Sequence, residues 1–356
     1  KALQEQIETL DHIMFGNFTH DPAIELSKKL VTITPKGLDR VYYSDNGSTS
    51  FEVALKMSLH YWVNMGQKNK SKIVFFNGSY HGDTIGAMSV SGVSQYNQMF
   101  RPLMFDSVQI PDPSMDEAHA LEQLEVTLHQ YSEEIAAVVI EPLLMGAGGM
   151  KITSPDFLKN VRYLTRKHHV HLISDEVATG FGRTGHLFAS NAANVTPDFM
   201  CLSKALTNGQ LPLAVTMLTD EIYRAFYADF EEGKTFYHGH TFTANTLGCA
   251  VANATLTTLD EWDWKRNVDA IHQRLDVELN QLNDQFYCLS NPRTIGTVGA
   301  IDIDLSGHRA MFKLTQIGFE HHLTIRPLGN TLYLYLPLIT SQDELNDIFN
   351  QLSNII

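Results

Sequence analysis

The sequence predicts an α/β protein in which a mostly parallel central sheet is flanked by helices and followed by a smaller α+β domain. Short apolar runs end in polar or glycine-rich clusters and then give way to helical patterns, which is how strands and helices alternate in a parallel sheet. These runs are residues 41–43, 73–75, 136–140, 170–174 and 199–202. Because ligands collect at the carboxyl ends of such strands, functional residues are expected just after the runs.

The smaller domain is predicted from a change of pattern near Glu261. A chain of 356 residues exceeds the usual size of one core, so two domains are expected, over residues 1–261 and 262–356. Strand-like segments follow at residues 299–303, 323–325 and 331–336, and a last helix begins at Ser341, with Glu344 placed to complete a capping box. Before them, one apolar helix face is formed by Val268, Ile271, Leu275, Leu279 and Leu282.

Composition and charge exclude several classes of function. The net charge of −14 opposes binding to nucleic acid or to an anionic membrane, since both require a basic surface. No apolar run reaches the roughly 18 residues of a membrane span. The three cysteines are odd in number and lie far apart, which favours the reducing cytoplasm. The first residue is Lys1 rather than methionine, so we expect that a leading segment is missing.

An acidic pair, Asp175 and Glu176, stands where the apolar run 170–174 ends, so a carboxylate there is expected to face the ligand crevice. The glycines that follow, Gly180, Gly182 and Gly185, match a dinucleotide fingerprint by spacing alone. In that fingerprint the acidic residue comes after the glycines and a helix begins beside them, whereas here the acids come first. We therefore interpret the glycines as a turn rather than as a nicotinamide-binding loop.

Lys204 follows the next apolar run, so an amine and the Asp175 carboxylate are expected at the same edge of the sheet. A pyridoxal enzyme needs both groups. The lysine forms a Schiff base with the cofactor, and the aspartate keeps the pyridine nitrogen protonated so that the ring can accept electrons. Taken alone, the lysine is more often a surface residue and the aspartate a cap or ion pair, but together they indicate pyridoxal chemistry.

Three further segments supply groups that suit a phosphorylated, aromatic cofactor. Gly47 and Ser48 precede a helical pattern and offer backbone N–H groups to a phosphate, although an ordinary helix cap explains them equally well. Tyr80 follows the run 73–75 and offers a ring for stacking, with a core position as the alternative. Thr241 is another candidate phosphate ligand. The nearby histidines His238 and His240 lack cysteine or carboxylate partners at ligand spacing, so no metal site is expected.

These segments together resemble the class III pyridoxal-phosphate-dependent aminotransferases, and the likeness covers nearly the whole chain. The resemblance implies the type I fold of pyridoxal-dependent transferases and pyridoxal 5'-phosphate as the cofactor. It further implies that Lys204 carries the cofactor, Asp175 contacts the pyridine nitrogen, Gly47 and Ser48 bind the phosphate, and Tyr80 stacks on the ring and lies near the substrate.

The same resemblance implies an active homodimer with its sites at the subunit interface. His240 and Thr241 are then expected to reach the phosphate of the partner subunit's cofactor. Gly239 is expected near the substrate, and Arg326 is expected to bind the substrate carboxylate. The implied partners are small molecules, a keto acid and an amino donor.

Several phrases resemble the biotin-pathway branch of that class more than the class in general, among them those that begin at His12, Thr19, Tyr80, Gly146 and Thr324. This likeness implies 8-amino-7-oxononanoate as the amino acceptor. S-adenosylmethionine is the usual donor in that branch, and some members use lysine. The alternatives are another ω-amino substrate, such as ornithine, 4-aminobutyrate or lysine, and a catalytically silent pyridoxal-binding protein.

Two positions depart from the pattern of the branch. Met145 stands where a glutamine able to hydrogen-bond near the ring is frequent, and His240 stands where proline is expected. The leading segment that supplies aromatic residues over the substrate in the branch is also absent from the sequence. The identity of the amino donor therefore stays open at this point.

Overall fold

The computed structural model describes residues 1–304 and 309–356. Its strands, in chain order, are β1 (Arg40–Ser44), β2 (Lys72–Phe76), β3 (Val108–Ile110), β4 (Ile135–Ile140), β5 (Leu144–Met145), β6 (Lys151–Ile152), β7 (His171–Asp175), β8 (Phe199–Leu202), β9 (Ala214–Leu218), β10 (Leu289–Ile295), β11 (Val298–Ile303) and β12 (Thr331–Tyr335).

The α-helices, in the same order, are α1 (Ala2–Thr9), α2 (Asp21–Ile33), α3 (Gly47–Asn64), α4 (Ile85–Ser89), α5 (Ser94–Asn97), α6 (Glu117–Tyr131), α7 (Pro155–Lys167), α8 (Ala189–Ala192), α9 (Asp220–Arg224), α10 (Thr246–Glu261), α11 (Trp264–Gln285), α12 (Ala310–Glu320) and α13 (Gln342–Ile355). Short 3-10 helices cover Gln98–Leu103, Lys204–Thr207 and Phe230–Glu232.

The central sheet has seven strands in the order β1-β9-β8-β7-β4-β2-β3, and only β9 runs against its neighbours. The prediction of a mostly parallel sheet is thus confirmed. Because β1 is antiparallel to β9, it has the same direction as the other five strands. The carboxyl ends of six strands therefore meet at one edge of the sheet.

Helices cover both faces of the sheet. Alternate residues of a strand point to opposite faces, so Ile173 of β7 packs toward α3, while its neighbour Leu172 packs toward α6 and α7. On that second face, α2 and α10 cover β8 and β9. The strands are consequently buried on both sides, and all six residues of β4 are buried. Continuous apolar runs are the expected sequence pattern for such strands.

The C-terminal part of the chain forms an antiparallel sheet, β10-β11-β12, packed against α11, α12 and α13. All five apolar residues predicted for one face of α11 are buried, and the predicted capping box at Ser341 and Glu344 is present. The hairpin β5-β6 packs against this small sheet. The predicted domain boundary falls between α10 and α11.

The strand predicted at residues 323–325 is wrong. The segment is irregular, and its apolar pattern has another cause: Ile325 is buried in the small-domain core and Leu323 packs beside it. The backbone N–H of Leu323 donates to the carbonyl of Gly318, at the end of α12, rather than to a neighbouring strand. Burial produced the apolar pattern, and no strand ladder accompanies it.

Over the described residues, every helix is too short or too polar to span a membrane. Within the same residues, no group of three or more histidine, cysteine, aspartate or glutamate side chains is arranged to hold a metal ion.

Candidate active site

The structure brings five of the residues singled out from the sequence to one edge of the central sheet. Asp175 ends β7, and Lys204 follows β8. Tyr80 lies in the loop after β2, while Gly47 and Ser48 begin α3 directly after β1. All of these positions lie beyond the carboxyl ends of their strands, where α/β sheets bind ligands.

Asp175 is held in place by two hydrogen bonds. The Nδ1 atom of His81 lies 2.8 Å from its Oδ2, and the N–H of Val177 donates to its Oδ1 at 3.1 Å. The His81 ring stacks on Phe51, with the ring centroids 4.3 Å apart. The Asp175 side chain is almost fully buried. A carboxylate offers about four lone-pair sites, so Asp175 can accept a further N–H.

Glu176, its neighbour in sequence, points to the opposite face of the sheet. Its carboxylate is fully buried and accepts N–H bonds from Ala189 at 2.6 Å and Ser190 at 2.8 Å, together with the hydroxyl of Thr179 at 3.2 Å. Burial raises the pKa of Glu176. Its contacts fix the start of α8, so this member of the acidic pair has a structural role.

The Lys204 side chain is exposed, and among the described residues it makes no hydrogen bond or ion pair. Its backbone lies in the left-handed region, with φ at 40°. Residues other than glycine adopt this region at a cost in free energy, and such strain often marks functional positions. The structure therefore presents a free amine on a constrained backbone at the same edge as Asp175.

The start of α3 is a candidate anion site. Asn46 caps the helix by accepting the N–H of Thr49 at 3.0 Å, and Thr49 accepts the N–H of Asn46 in return. Gly47 and Ser48 therefore are not the cap, and the first-turn N–H groups that they contribute have no acceptor further back in the helix. The loop after β2 approaches this turn closely: a Cβ atom on Gly82 would lie 2.0 Å from the Ser48 Oγ atom.

Tyr80 is anchored through its backbone, since its N–H donates to the Oε1 atom of Glu141 at 2.8 Å. Its half-buried ring makes an edge contact with Tyr96, with the centroids 5.9 Å apart. Burial, followed by the hydrogen bond with Asp83, raises the pKa of Tyr80. The phenol therefore stays protonated at neutral pH.

Glu141 is a residue that the sequence reasoning missed. It directly follows β4 and accepts N–H bonds from Tyr80 and, at 3.1 Å, from Gly146. Burial raises the pKa of Glu141 to about 7, an effect that His81 opposes and Asp175 reinforces. The available signal was an acid directly after an apolar run, the same position that identified Asp175.

Arg183, in the glycine-bearing loop after β7, was also missed. Its guanidinium donates to the Thr297 hydroxyl at 2.6 Å and to the Leu336 carbonyl, and it lies 4.1 Å from the centre of the Tyr335 ring. The Tyr335 hydroxyl donates to the carbonyl of Ala178 at 2.5 Å. These contacts join the loop beside Asp175 to the small domain. A charged residue within a glycine turn was the only sequence signal.

The predicted residues Gly239, His240 and Thr241 lie on an exposed loop between the 3-10 helix Phe230–Glu232 and α10. This loop contacts β1 and α3 through His238, whose carbonyl accepts the Tyr42 hydroxyl and whose ring lies 2.9 Å from the Lys56 amine. The Nε2 atom of His240 is 3.9 Å from the Oδ1 atom of Asp45, which lies two residues before α3. The structure therefore places the loop near the start of α3, while Thr241 itself is exposed.

Arg326 is exposed in the segment between α12 and β12. Within the described residues no acidic side chain forms an ion pair with it, so the structure shows no interdomain ion pair that would account for the arginine. The same segment continues to Leu328 and Gly329, which line a cleft of about 350 Å³ together with Gly78 and Gly148. Arg326 thus lies two residues from a cleft that borders the Tyr80 loop.

The chain matches the family model described as Aminotransferase class-III over residues 1–356. Proteins named adenosylmethionine-8-amino-7-oxononanoate aminotransferase are among its relatives. That of Synechococcus elongatus is 41% identical, with 100% of this chain and 85% of the relative covered. That of Geobacter sulfurreducens is 37% identical, with 100% and 83% covered.

Solved structures give the same likeness. The adenosylmethionine-8-amino-7-oxononanoate aminotransferase of Methanocaldococcus jannaschii has a TM-score of 0.96 at 34% identity, covering 100% of this chain and 83% of that one. An amine transaminase from an uncultivated Pseudomonas species, in its PLP-bound form, has a TM-score of 0.92 at 27% identity, covering 99% and 85%.

Proposed function

The chain belongs to the class-III aminotransferases, and from this premise we propose that it transfers an amino group to 8-amino-7-oxononanoate, forming 7,8-diaminononanoate in biotin biosynthesis. The observation that carries this proposal is the full-length likeness to relatives named for that reaction at 36–41% identity. S-adenosylmethionine is the proposed amino donor, as in the relatives' names, and lysine is the alternative. We also propose a cytoplasmic location, which the three free cysteines favour.

The cofactor of this family is pyridoxal 5'-phosphate, and the residues at the sheet edge fit it. Asp175 has lone pairs left for a pyridine N–H. The first turn of α3 offers N–H groups to a phosphate, and glycine at position 82 lets the loop after β2 approach that turn without a clash with Ser48. Lys204 has a free amine. When bound, the cofactor supplies an electron-accepting ring that stabilises the charge left on a substrate carbon after proton loss.

The chain's own groups divide the work of amino transfer. Lys204 would hold the cofactor through its ε-amino group, and the same amine would act as the base that moves a proton at the substrate carbon. Asp175 would keep a proton on the ring nitrogen, while the hydrogen bond with His81 fixes the orientation of its carboxylate. Tyr80 would contact the cofactor ring. Arg183 and Tyr335, whose contacts join the loop after β7 to the small domain, would limit the access of water from that side.

A homodimer is proposed, with Gly239, His240 and Thr241 completing the partner's site. The exposed loop that carries them is flanked by large apolar side chains that a monomer would leave in water, including Tyr237 at 71% and Phe242 at 58% exposure. Exposed apolar patches of this kind mark association surfaces. Thr241 and His240 are proposed to bind the phosphate of the partner's cofactor, and Gly239 to lie near the substrate.

Arg326→Ala is expected to weaken the keto-acid half-reaction by about 10- to 150-fold, the range for one charged hydrogen bond, because Arg326 is proposed to bind the substrate carboxylate. The half-reaction with a donor that does not use this arginine should be spared. Stopped-flow absorbance of the cofactor measures each half-reaction. Arg326→Lys keeps the charge without the forked geometry, so its keto-acid half-reaction should be slower than that of the wild-type chain and faster than that of Arg326→Ala.

Equal losses in both half-reactions, accompanied by a lower melting temperature, would contradict this role for Arg326. The arginine would then stabilise the small domain rather than bind substrate.

The proposed function is tested by a screen of donors and acceptors on the full chain. S-adenosylmethionine, lysine, ornithine and 4-aminobutyrate are offered with 8-amino-7-oxononanoate, and the diamine product is quantified. Product with the first or second donor is the expected result. Turnover of ornithine or 4-aminobutyrate without 8-amino-7-oxononanoate would assign another ω-aminotransferase, and a cofactor band unchanged by every donor would indicate a silent pyridoxal-binding protein.

The screen also decides the donor. Met145 and His240, the two departures from the biotin-pathway pattern, lie near the proposed site: Met145 precedes the Gly146 whose N–H Glu141 accepts, and His240 lies near Asp45. A comparison of S-adenosylmethionine and lysine as donors under the same conditions decides between them.

A further inference from the structure

Glu141 joins two loops of the sheet edge through one carboxylate. Its Oε1 atom accepts the N–H of Tyr80, 61 positions away in sequence, and its Oε2 atom accepts the N–H of Gly146. β4, which delivers Glu141, lies between β7 and β2 in the sheet. Each of the two carboxylate oxygens therefore accepts a hydrogen bond from a different loop.

The two loops are also in direct contact. A Cβ atom on Gly148 would lie 2.1 Å from the carbonyl oxygen of Gly78, so glycine is needed for the approach. Gly78 and Gly148 line the cleft of about 350 Å³ that borders the Tyr80 loop. A displacement of either N–H from Glu141 would thus alter the position of Tyr80 and the wall of the cleft together.

The burial of the Glu141 carboxyl group costs free energy. Removing a carboxylate from water is unfavourable, and within the described residues no lysine or arginine pairs with it. The titratable groups that face it are His81, Asp175 and Tyr80, together with Tyr335 of the small domain. Buried acids with raised pKa values are concentrated at functional sites.

Glu176 shows what a purely structural acid looks like in the same protein. It too is fully buried and accepts two backbone N–H bonds, from Ala189 and Ser190. Those partners and Thr179 belong to one local segment, and none is a residue proposed for the site. Glu141 instead connects distant segments, and one of its partners is Tyr80.

We propose that Glu141 is a positioning residue of the amino-transfer site: it fixes Tyr80 for contact with the cofactor ring, and it fixes residues 146–149 along the substrate cleft. The inference rests on the proposed place of Tyr80 beside the cofactor. Glu141 itself touches neither cofactor nor substrate.

The test compares Glu141→Gln with Glu176→Gln in the full chain. Glutamine keeps the volume of glutamate but has one acceptor oxygen, so one of the two backbone N–H groups loses its partner. For Glu141→Gln we expect amide hydrogen exchange at Tyr80 or Gly146 to quicken on the order of tenfold, and the affinity of the cofactor-free protein for pyridoxal phosphate to fall on the order of tenfold. Its visible cofactor band should shift.

Glu176→Gln is the matched control. It removes the same kind of hydrogen bond from a buried acid, so it should lower the melting temperature without changing pyridoxal phosphate affinity or the cofactor band. Equal effects of the two variants on all of these readouts would overturn the proposal. Unchanged affinity, band and exchange in Glu141→Gln would do so as well.

Glu141→Asp serves if the glutamine variant does not fold. It retains the carboxyl group but is one methylene shorter and cannot span both N–H groups, so exchange at Tyr80 or Gly146 should still quicken and affinity should still fall. Normal values for both would overturn the proposal. These measurements need only pyridoxal phosphate, so a failure of the wild-type chain to use 8-amino-7-oxononanoate would remove the proposed substrate and leave the role of Glu141 to be decided separately.

Discussion

Lys204→Ala is expected to reduce amino transfer by at least about 10⁴-fold while leaving the fold intact, because one amine is proposed both to hold the cofactor and to move the proton. Some cofactor affinity should remain, since the phosphate and ring contacts are proposed to come from other residues, among them Gly47, Ser48 and Tyr80. Single-turnover assays and the visible cofactor band measure the two effects. Lys204→Arg should be equally inactive, since a guanidinium does not lose its proton in proteins.

Near-normal turnover in Lys204→Ala would contradict the mechanism whatever the fold.

The same variant also tests the proposed dimer. Mixed with a chain inactivated at Thr241, it should recover some activity in heterodimers, because one subunit would supply the lysine and the other the phosphate ligand. If subunits exchange and no activity returns, Thr241 does not act across the interface.

Asp175→Asn is expected to lower kcat by about 10²–10⁴-fold, the range for losing a group that holds a proton in catalysis. The reason lies in the number of donors. His81 and Val177 already donate to the two carboxylate oxygens, and a protonated ring nitrogen would be a third donor. An asparagine side chain has a single acceptor oxygen, so at least one of the three loses its partner, and the ring nitrogen loses its compensating charge.

Cofactor should still attach in Asp175→Asn, because Lys204 and the start of α3 are unchanged. Glu176→Gln is again the control, since it alters the adjacent buried acid on the opposite face of the sheet. A loss of only a few fold in Asp175→Asn, measured by stopped-flow absorbance, would contradict the assignment and leave Asp175 with a structural role beside His81.

The sequence predicted many of the elements whose burial leaves a continuous pattern. Strands β2, β4, β7 and β8 appear as apolar runs, and the buried face of α11 appears at helical spacing. β9 was not predicted, although all five of its residues are buried. β3 was missed because three residues are too few to show a period. β10 was missed because it contains proline, polar side chains and a register shift between Ser290 and Arg293, so neither an apolar run nor an alternation is visible.

Site residues were predictable where the residue type is specific for the chemistry. A lysine and an aspartate at successive strand ends indicate a pyridoxal enzyme because few other functions need that pair. Glu141 has only its position after an apolar run and Arg183 only its place in a glycine turn, and neither signal indicates a particular chemistry. Their importance depends on which backbone groups surround them, the N–H groups of Tyr80 and Gly146 in one case and the contacts with Thr297 and Tyr335 in the other. Those neighbours are determined only by the tertiary fold.

The opposite orientations of Asp175 and Glu176 make the length of β7 as important as its composition. β7 is paired on both sides, with β4 and with β8, and every residue in it is buried. Side chains alternate between the two faces, so deleting one residue would exchange the faces of every position beyond the deletion. Glu176 would turn toward His81, and Asp175 toward α8. The chain would still contain both acids, yet the wrong one would face the cofactor, so natural variation in this strand should consist of substitutions rather than insertions or deletions.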